Sequence, residues 1–159
     1  MILIPADQPR QYARWQDAPW DVHRWPNFSR VELACRCPYH GPRYCQGEFY
    51  YDPEFFDGLQ VIRNMIGRVL NLNSAHRCAL RNAWAGGAAL SQHKLIASDL
   101  ALDDHNPRTL YQACKAGGFT SFGFYRTFLH IDRRIKPDGT GRRWFSSPEA
   151  RRQWTEFLT

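Results

Sequence analysis

A helical pattern begins shortly after residue 52. Four apolar residues recur at intervals of three or four, which places them on one helix face: Phe55, Leu59, Ile62 and Ile66. Asp52 suits the N-cap, Pro53 the first helical position, and Glu54 the positive end of the helix dipole. Gly67 can end the helix, because glycine readily adopts the left-handed backbone of a C-terminal cap. The pattern predicts an amphipathic helix over 53–66.

Extended patterns follow in two segments. Apolar residues alternate with small or polar residues over 96–102, and Asp99 lies on the side of the small residues. Over 128–133, His130 and Asp132 share one face of a second predicted strand. The sequence further predicts strands over 69–72 and 121–125 and helices over 79–84, 107–115 and 148–158. Helices and strands are mixed without a regular β-α-β order, so the predicted fold class is α+β.

The N-terminal part, residues 1–50, has no clear period. It contains six prolines and three tryptophans (Trp15, Trp20 and Trp25), which predicts irregular structure that packs through its aromatic residues. No charge run or Gly/Ser-rich linker marks a domain boundary. We therefore expect a single domain over 1–159, with residues 1–50 wrapped around a core formed by residues 51–159.

Composition narrows the class of protein. A hydrophobic fraction of 43% and an aromatic fraction of 14% are typical of a folded domain and exclude a disordered chain. No apolar run approaches the roughly 18 residues of a membrane-spanning helix. The N-terminus lacks the basic and apolar segments of a secretory signal, so synthesis in the cytoplasm is expected.

The charge of the chain points to an anionic partner. Lysine and arginine number 21 against 15 aspartates and glutamates, which gives a formal charge of +6. This balance suits nucleic acid, an anionic membrane or an acidic cell-wall polymer. No helix-turn-helix or finger spacing is present, so no nucleic-acid partner is expected. A late basic segment is interpreted as a solvated face: Arg133, Arg134, Lys136, Arg142, Arg143, Arg151 and Arg152.

Two histidines and an aspartate are the candidate metal ligands: His93, Asp99 and His130. Two imidazoles and one carboxylate suit Zn²⁺ and leave a fourth position open for water, as catalytic zinc sites require. Asp99 has small neighbours that leave room for an ion. His130 lies between apolar residues, where an imidazole without a partner is costly. The spacing of these three residues does not by itself distinguish a shared metal centre from three residues with unrelated roles.

The segments around these residues resemble a known family. Ser91-Gln92-His93, Ala97-Ser98-Asp99 and His130-Ile131-Asp132 are similar to the signature S-x-H-x-x-G-x-A-x-D and the later H-x-D of the zinc-dependent peptidoglycan peptidases. This family includes D-Ala-D-Ala carboxypeptidases and L-alanyl-D-glutamate endopeptidases. Ser74-Ala75-His76-Arg77 resembles the family's S-x-Y-R segment. The resemblance spans residues 27–145 and includes features of phage-like members.

The resemblance implies a fold and a set of roles. One catalytic Zn²⁺ is expected on His93, Asp99 and His130. Arg77 is assigned to the substrate carboxylate or to the developing oxyanion, where a fixed bidentate cation suits either role. Ser91 is expected to support the site by hydrogen bonding, and His76, where the family has tyrosine, to contact substrate. The implied architecture is a small antiparallel sheet flanked by helices, with the zinc cleft on the sheet (the D-Ala-D-Ala peptidase/Hedgehog-like fold) and residues 51–159 as its catalytic core.

Two departures from the family pattern affect the chemistry. His93 and Asp99 are six residues apart where the family has seven, and the glycine of the signature is absent. Thr127 occupies the position, three before the last histidine, where the family often has an acidic general base. Asp132 is then the nearest candidate for the base. It is equally a candidate for a residue that orients a metal ligand.

The function implied by the resemblance is zinc-dependent hydrolysis of an amide bond in the stem peptides or cross-links of bacterial peptidoglycan. A phage or prophage setting is expected, with action on the cell wall after release by a holin or as part of a virion. The alternative is a non-catalytic module that binds cell wall or forms part of a particle. The two departures favour that alternative.

A cysteine-rich loop carries a second candidate site, C-x-C-x2-H-x4-C, formed by Cys35, Cys37, His40 and Cys45. Three thiols and an imidazole can close a tetrahedral structural zinc site. Free thiols and a disulfide remain open alternatives, although five cysteines argue against a complete disulfide framework. Cys78 and Cys114 are predicted to be small core residues.

Overall fold

The computed structural model describes residues 8–37 and 43–158. Within these residues the chain forms five α-helices: α1 (Arg30–Leu33), α2 (Pro53–Ile66), α3 (Ala79–Trp84), α4 (Pro107–Ala116) and α5 (Pro148–Leu158). It also forms seven strands: β1 (Gln11–Tyr12), β2 (Phe49–Tyr50), β3 (Leu72–Ser74), β4 (Ser98–Ala101), β5 (Ser121–Phe124), β6 (Phe128–Asp132) and β7 (Arg143–Phe145). Short 3₁₀ turns lie at Trp15–Asp17 and Gln92–Lys94.

Helix α2 forms where its sequence pattern predicts. The Asp52 carboxylate accepts a hydrogen bond from the Phe55 backbone N–H at 3.2 Å, and Gly67 ends the helix with a φ of 64°. The apolar face of α2 packs against α4. A Cβ at Gly58 would lie 2.5 Å from the carbonyl oxygen of Gly117, so the two helices can approach this closely only because residue 58 is glycine.

The central sheet has five strands in the order β3-β4-β6-β5-β7. The first four pair antiparallel, which confirms the predicted α+β fold with a small antiparallel sheet, while the edge strand β7 runs parallel to β5. Asp99 lies directly opposite His130 in the β4–β6 ladder. On the other side of β6, Gly123 is the partner of His130, and Trp144 is the partner of Gly123. These four residues form one row across the sheet.

The N-terminal segment is more regular than its sequence suggests. Strands β1 and β2 form a separate two-stranded antiparallel sheet, and α1 begins with a capping box between Ser29 and Glu32. Trp25 is buried and donates a hydrogen bond from Nε1 to Asp57 of α2 at 2.9 Å. The segment is thereby fastened to α2 and shares its hydrophobic core.

One predicted strand is displaced. The pattern predicted a strand over 69–72, whereas β3 spans Leu72–Ser74 and shifts register against β4 between those two residues. Val69 is exposed, because the chain has only just left α2 there and Leu70 is the first residue to reach the core. In the part of the chain that the structure describes, no helix combines the length and apolar character needed to cross a membrane.

Candidate active site

The three candidate metal ligands converge at one point on the sheet. Asp99 and His130 face each other from β4 and β6, and His93 approaches from the 3₁₀ turn before β4. The Oδ1 atom of Asp99 lies 3.2 Å from Nε2 of His93 and 2.9 Å from Nδ1 of His130. The two imidazole nitrogens are 3.1 Å apart. His93 and Asp99 therefore still meet at one point, although they are only six residues apart where the family has seven.

The donor atoms of this group fit a tetrahedral zinc ion. Nδ1 of His93 lies 2.7 Å from the Ala75 carbonyl oxygen, so this nitrogen carries the proton and Nε2 presents a lone pair. Nε2 of His130 lies 3.0 Å from the Asp132 carboxylate, which leaves the lone pair on Nδ1. Three electron-pair donors then face one another, and a shared metal ion would accept an electron pair from each of them. Zinc–ligand bonds of about 2.0–2.1 Å predict separations of about 3.3 Å, close to those observed.

Burial and neighbouring charge prepare these groups for a metal. Burial lowers the pKa of His93, so its imidazole is neutral at physiological pH. Burial acts to raise the pKa of Asp99, but hydrogen bonds with His130 and His93 outweigh it and hold that pKa well below its usual range. Burial acts to lower the pKa of His130, but hydrogen bonds with Asp132 and Asp99 outweigh it and raise that pKa. A metal ion bound here would take the place of the proton that these groups otherwise share.

Asp132 lies behind His130 and does not face the cleft. Its side chain is fully buried, and it accepts hydrogen bonds from Nε2 of His130 and from Nη2 of Arg134, the latter at 2.7 Å. Burial acts to raise its pKa, but these bonds lower it to about 2. Asp132 thus has the position of a residue that orients His130, which is the second of the two roles considered for it. Its role as general base stays a prediction.

Arg77 lies beside the metal site. Its Nη2 donates to Oδ2 of Asp99 at 3.1 Å, and its Nε donates to the Ser74 hydroxyl at 2.9 Å. The guanidinium is partly exposed and lines the cleft. It fixes the second oxygen of Asp99, which leaves the first oxygen directed at the two imidazoles. Its predicted contact with substrate stays a prediction.

The two remaining candidates lie in different surroundings. The Ser91 hydroxyl accepts a hydrogen bond from the His93 backbone N–H at 3.3 Å, and its expected supporting role stays a prediction. The His76 side chain is wholly buried, with Nδ1 at 2.5 Å from the Leu95 carbonyl oxygen and Nε2 at 2.9 Å from Glu48. Both of its nitrogens are occupied away from the cleft. This arrangement does not direct His76 towards the cleft, and its contact with substrate stays a prediction.

A cleft of about 860 Å³ opens over the three ligands. Its walls are strongly basic, with five cationic side chains: Arg77, Arg134, Lys136, Arg142 and Arg143. Among the described residues that line it, Asp99 is the only carboxylate. Part of the late basic segment, interpreted from sequence as a solvated face, therefore borders the site.

Trp144 is a cleft residue that sequence reasoning missed. Its ring centroid lies 5.1 Å from that of His130, and the Arg134 guanidinium lies over the same indole. A Cβ at Gly123 would lie 2.3 Å from the indole, so the missing side chain at that position makes room for the ring. The glycine in a strand was the available signal that another group approaches closely.

The cysteine-rich loop also forms a cluster, with a different fourth member. Cys35, Cys37 and Cys45 lie together with Cys78, which was predicted to be only a small core residue. Cys78 is buried, but its sulfur lies 3.5 Å from that of Cys37, because α3 begins next to the loop. His40, the predicted fourth ligand, lies outside the described residues. Cys114 is buried in the core, as predicted.

A comparison with protein families decides the class of this chain. A family model described as Peptidase M15 matches residues 26–132, which is more than half of the chain. The chain belongs to the peptidase M15 family. M15 peptidases of this type are zinc-dependent and similar to D-Ala-D-Ala carboxypeptidases, which confirms the family resemblance and supports a metallopeptidase. The matched region contains all three candidate ligands of the M15 site. No curated protein matches the chain.

Proposed function

We propose that this M15 peptidase hydrolyses a peptide bond in the stem peptides or cross-links of bacterial peptidoglycan. The observation that carries the proposal is the convergence of His93, Asp99 and His130, with 2.9–3.2 Å between their donor atoms, at the base of a basic cleft. Zn²⁺ bound there supplies a Lewis acid that polarises a carbonyl group and lowers the pKa of a water molecule.

The protein side chains around that centre hold the ligands in place. Asp132 fixes the tautomer and ring direction of His130, while Arg77 fixes the carboxylate of Asp99. The Ser91 hydroxyl caps the turn that carries His93. Each ligand is thus positioned by a second group before any substrate arrives. Such preorganisation is what a reaction at a metal centre requires.

The charge of the cleft favours a substrate with carboxylate groups. Five cationic side chains line the cleft against one carboxylate, which is itself a proposed metal ligand. Peptidoglycan stem peptides carry free carboxylates at their ends and on their side chains. Arg77 lies closest to the metal site and is the proposed partner for a carboxylate next to the scissile bond. A carboxypeptidase and an endopeptidase both fit this arrangement.

A second candidate function is a non-catalytic module that binds cell wall. One observation favours it: among described residues, no carboxylate other than Asp99 lines the cleft to accept a proton from water. Thr127, at the position of the family's acidic residue, is exposed, and its carbonyl oxygen accepts a hydrogen bond from Leu102 N–H. The two functions share the metal site and differ only in whether a bond is cut.

Mass spectrometry of fragments released from purified sacculi separates the two functions. We expect new peptide ends with the zinc-loaded protein, and none after chelation or with His130→Ala. Their masses identify the bond that is cut. Intact stems in the presence of zinc-loaded protein would contradict the peptidase function and support the binding module. The phage or prophage setting, and action on the wall after release by a holin or within a virion, stay predictions from the family resemblance.

A further inference from the structure

The four cysteines beside α3 are separate from the M15 site and have the geometry of a second metal centre. Their sulfur atoms all lie within 4.8 Å of one another, and none of the four forms a disulfide. The Cys37 sulfur lies 3.8 Å from that of Cys35 and 3.5 Å from that of Cys78. We propose that Cys35, Cys37, Cys45 and Cys78 bind a structural Zn²⁺. Zinc–sulfur bonds of about 2.3 Å in a tetrahedron predict sulfur–sulfur distances of about 3.8 Å.

Backbone N–H groups surround these sulfurs in the way that metal-bound thiolates require. The Cys35 sulfur accepts a hydrogen bond from the Cys78 N–H at 3.2 Å, and the Cys78 sulfur accepts one from the Arg81 N–H at 3.4 Å. The Cys45 sulfur accepts from the backbone N–H groups of Glu48 and Gly47. Such donors stabilise the negative charge of a thiolate and fix the direction of its lone pairs.

The number of protein ligands indicates a structural role. Four cysteines fill every position of a tetrahedral ion and leave none for water or substrate, unlike the three ligands of the M15 site. The fourth ligand differs from the one expected from sequence, where His40 completed the set. Cys78 is separated from Cys37 by 41 residues, so local spacing could not identify it.

The cysteine cluster lies between the N-terminal segment and the segment that carries Arg77 of the M15 site. Cys35 and Cys37 follow α1, Cys45 precedes β2, and Cys78 is the N-cap of α3. Cys78 also directly follows Arg77, which holds the Asp99 carboxylate. An ion bound by all four cysteines therefore joins the N-terminal segment to the segment that positions Arg77. Closing a connection between positions this far apart in sequence removes conformational freedom mainly from the unfolded chain.

Metal analysis of the purified protein tests the proposal without any activity measurement. We expect two zinc ions per chain in the unmodified protein, and one in the variant with both His93→Ala and His130→Ala. Substitution with Co²⁺ should give the thiolate-to-cobalt charge-transfer absorption of a tetrahedral sulfur site in both proteins. Because the histidine variant retains this signal, failure of the peptidase proposal is distinguishable from failure of this one.

Cysteine variants locate the second ion. Cys37→Ala should lose the charge-transfer absorption, whereas Cys114→Ala should keep it, because Cys114 is buried in α4 outside the cluster. Should Cys37→Ala fail to fold, thiol alkylation of the unmodified protein provides the test. Cys37 and Cys45 are only half-buried, so we expect them to react only after a strong chelator is added. Equal alkylation with and without chelator, absence of the cobalt signal, or iron in place of zinc would overturn the proposal.

Discussion

His130 depends on Asp132 for its orientation, and this pair yields a direct test of the two roles considered for the aspartate. Asp132→Ala removes the acceptor for the Nε2 proton and leaves the ring free to rotate. We expect zinc affinity of the M15 site to fall about 10–100-fold, since outer partners of metal ligands have effects of this size. His130→Ala should abolish binding at this site altogether.

Equilibrium titration with zinc, in the presence of a competing chelator, measures this effect. Asp104→Ala is a suitable control, because that carboxylate is largely exposed and pairs only loosely with Arg68 at 3.6 Å. Unchanged zinc affinity combined with lost hydrolysis would instead assign Asp132 to the chemical step. That result would contradict the buried, fully bonded position of its carboxylate.

Glu48 and His76 form a partly buried contact whose contribution to stability depends on pH. The hydrogen bond from His76 lowers the pKa of Glu48. A carboxylate with a lowered folded-state pKa stabilises the protein above its unfolded pKa of about 4.3, and this stabilisation is lost as the pH falls through the folded value. We expect Glu48→Gln to reduce the free energy of unfolding at pH 7 by about 1 kcal/mol.

The difference between Glu48→Gln and the unmodified protein should shrink towards zero in acid. Denaturant unfolding at several pH values from 7 down to 3 follows this trend. A difference that stays constant over the whole range would show that the charge of Glu48 does not contribute, and that only the shape of its side chain matters.

Gly123 of β5 leaves room for the indole of Trp144 on the neighbouring strand β7, and replacing this glycine tests how the cleft wall is built. Gly123→Ala places a methyl group against the Trp144 indole, and the ring must move away from His130. Overpacking of this kind costs about 1–3 kcal/mol. We expect a lower free energy of unfolding by that amount, measured by denaturant titration.

The same substitution in a Trp144→Ala background is the matched control. The three heavy atoms nearest to the added methyl group all belong to the indole, so the cost of Gly123→Ala should largely disappear when the indole is removed. This double-mutant cycle isolates the contact. An equal cost in both backgrounds would instead point to an effect on the strand backbone.

Elements with strong local signals were predictable from sequence. Helix α2 has a capping aspartate, a proline and a terminal glycine, and its observed bounds match the prediction. Strand β7 was missed because Arg143-Trp144-Phe145 shows no alternation and becomes a strand through its pairing with β5. Of the site, His93, Asp99 and His130 were identified through their residue types and the resemblance of their segments to the family signature. Trp144 and Cys78 were missed because they are far in sequence from the residues that they contact, and only the folded chain brings them together.

The charge of the protein as a whole matters for binding to a wall polymer, but the position of each charge matters as well. With 21 basic against 15 acidic residues, the chain is attracted to polyanions in general. Arg142 lines the cleft, whereas Arg152 lies on α5 and pairs with Glu149 at 3.1 Å. Arg142→Glu and Arg152→Glu change the net charge by the same amount. They therefore separate long-range attraction from local recognition.

We expect Arg142→Glu to weaken retention on purified sacculi markedly more than Arg152→Glu does. Both variants are made in a His130→Ala background, so that no bond is cut, and the bound fraction is measured at low and high salt. Exposed charges are screened beyond about 10 Å at 0.1 M salt, so any general attraction should fade as salt is added. Equal loss in the two variants would show that net charge alone governs binding. A larger loss for Arg142→Glu that persists at high salt would place part of the wall polymer in the cleft, beside the three metal ligands.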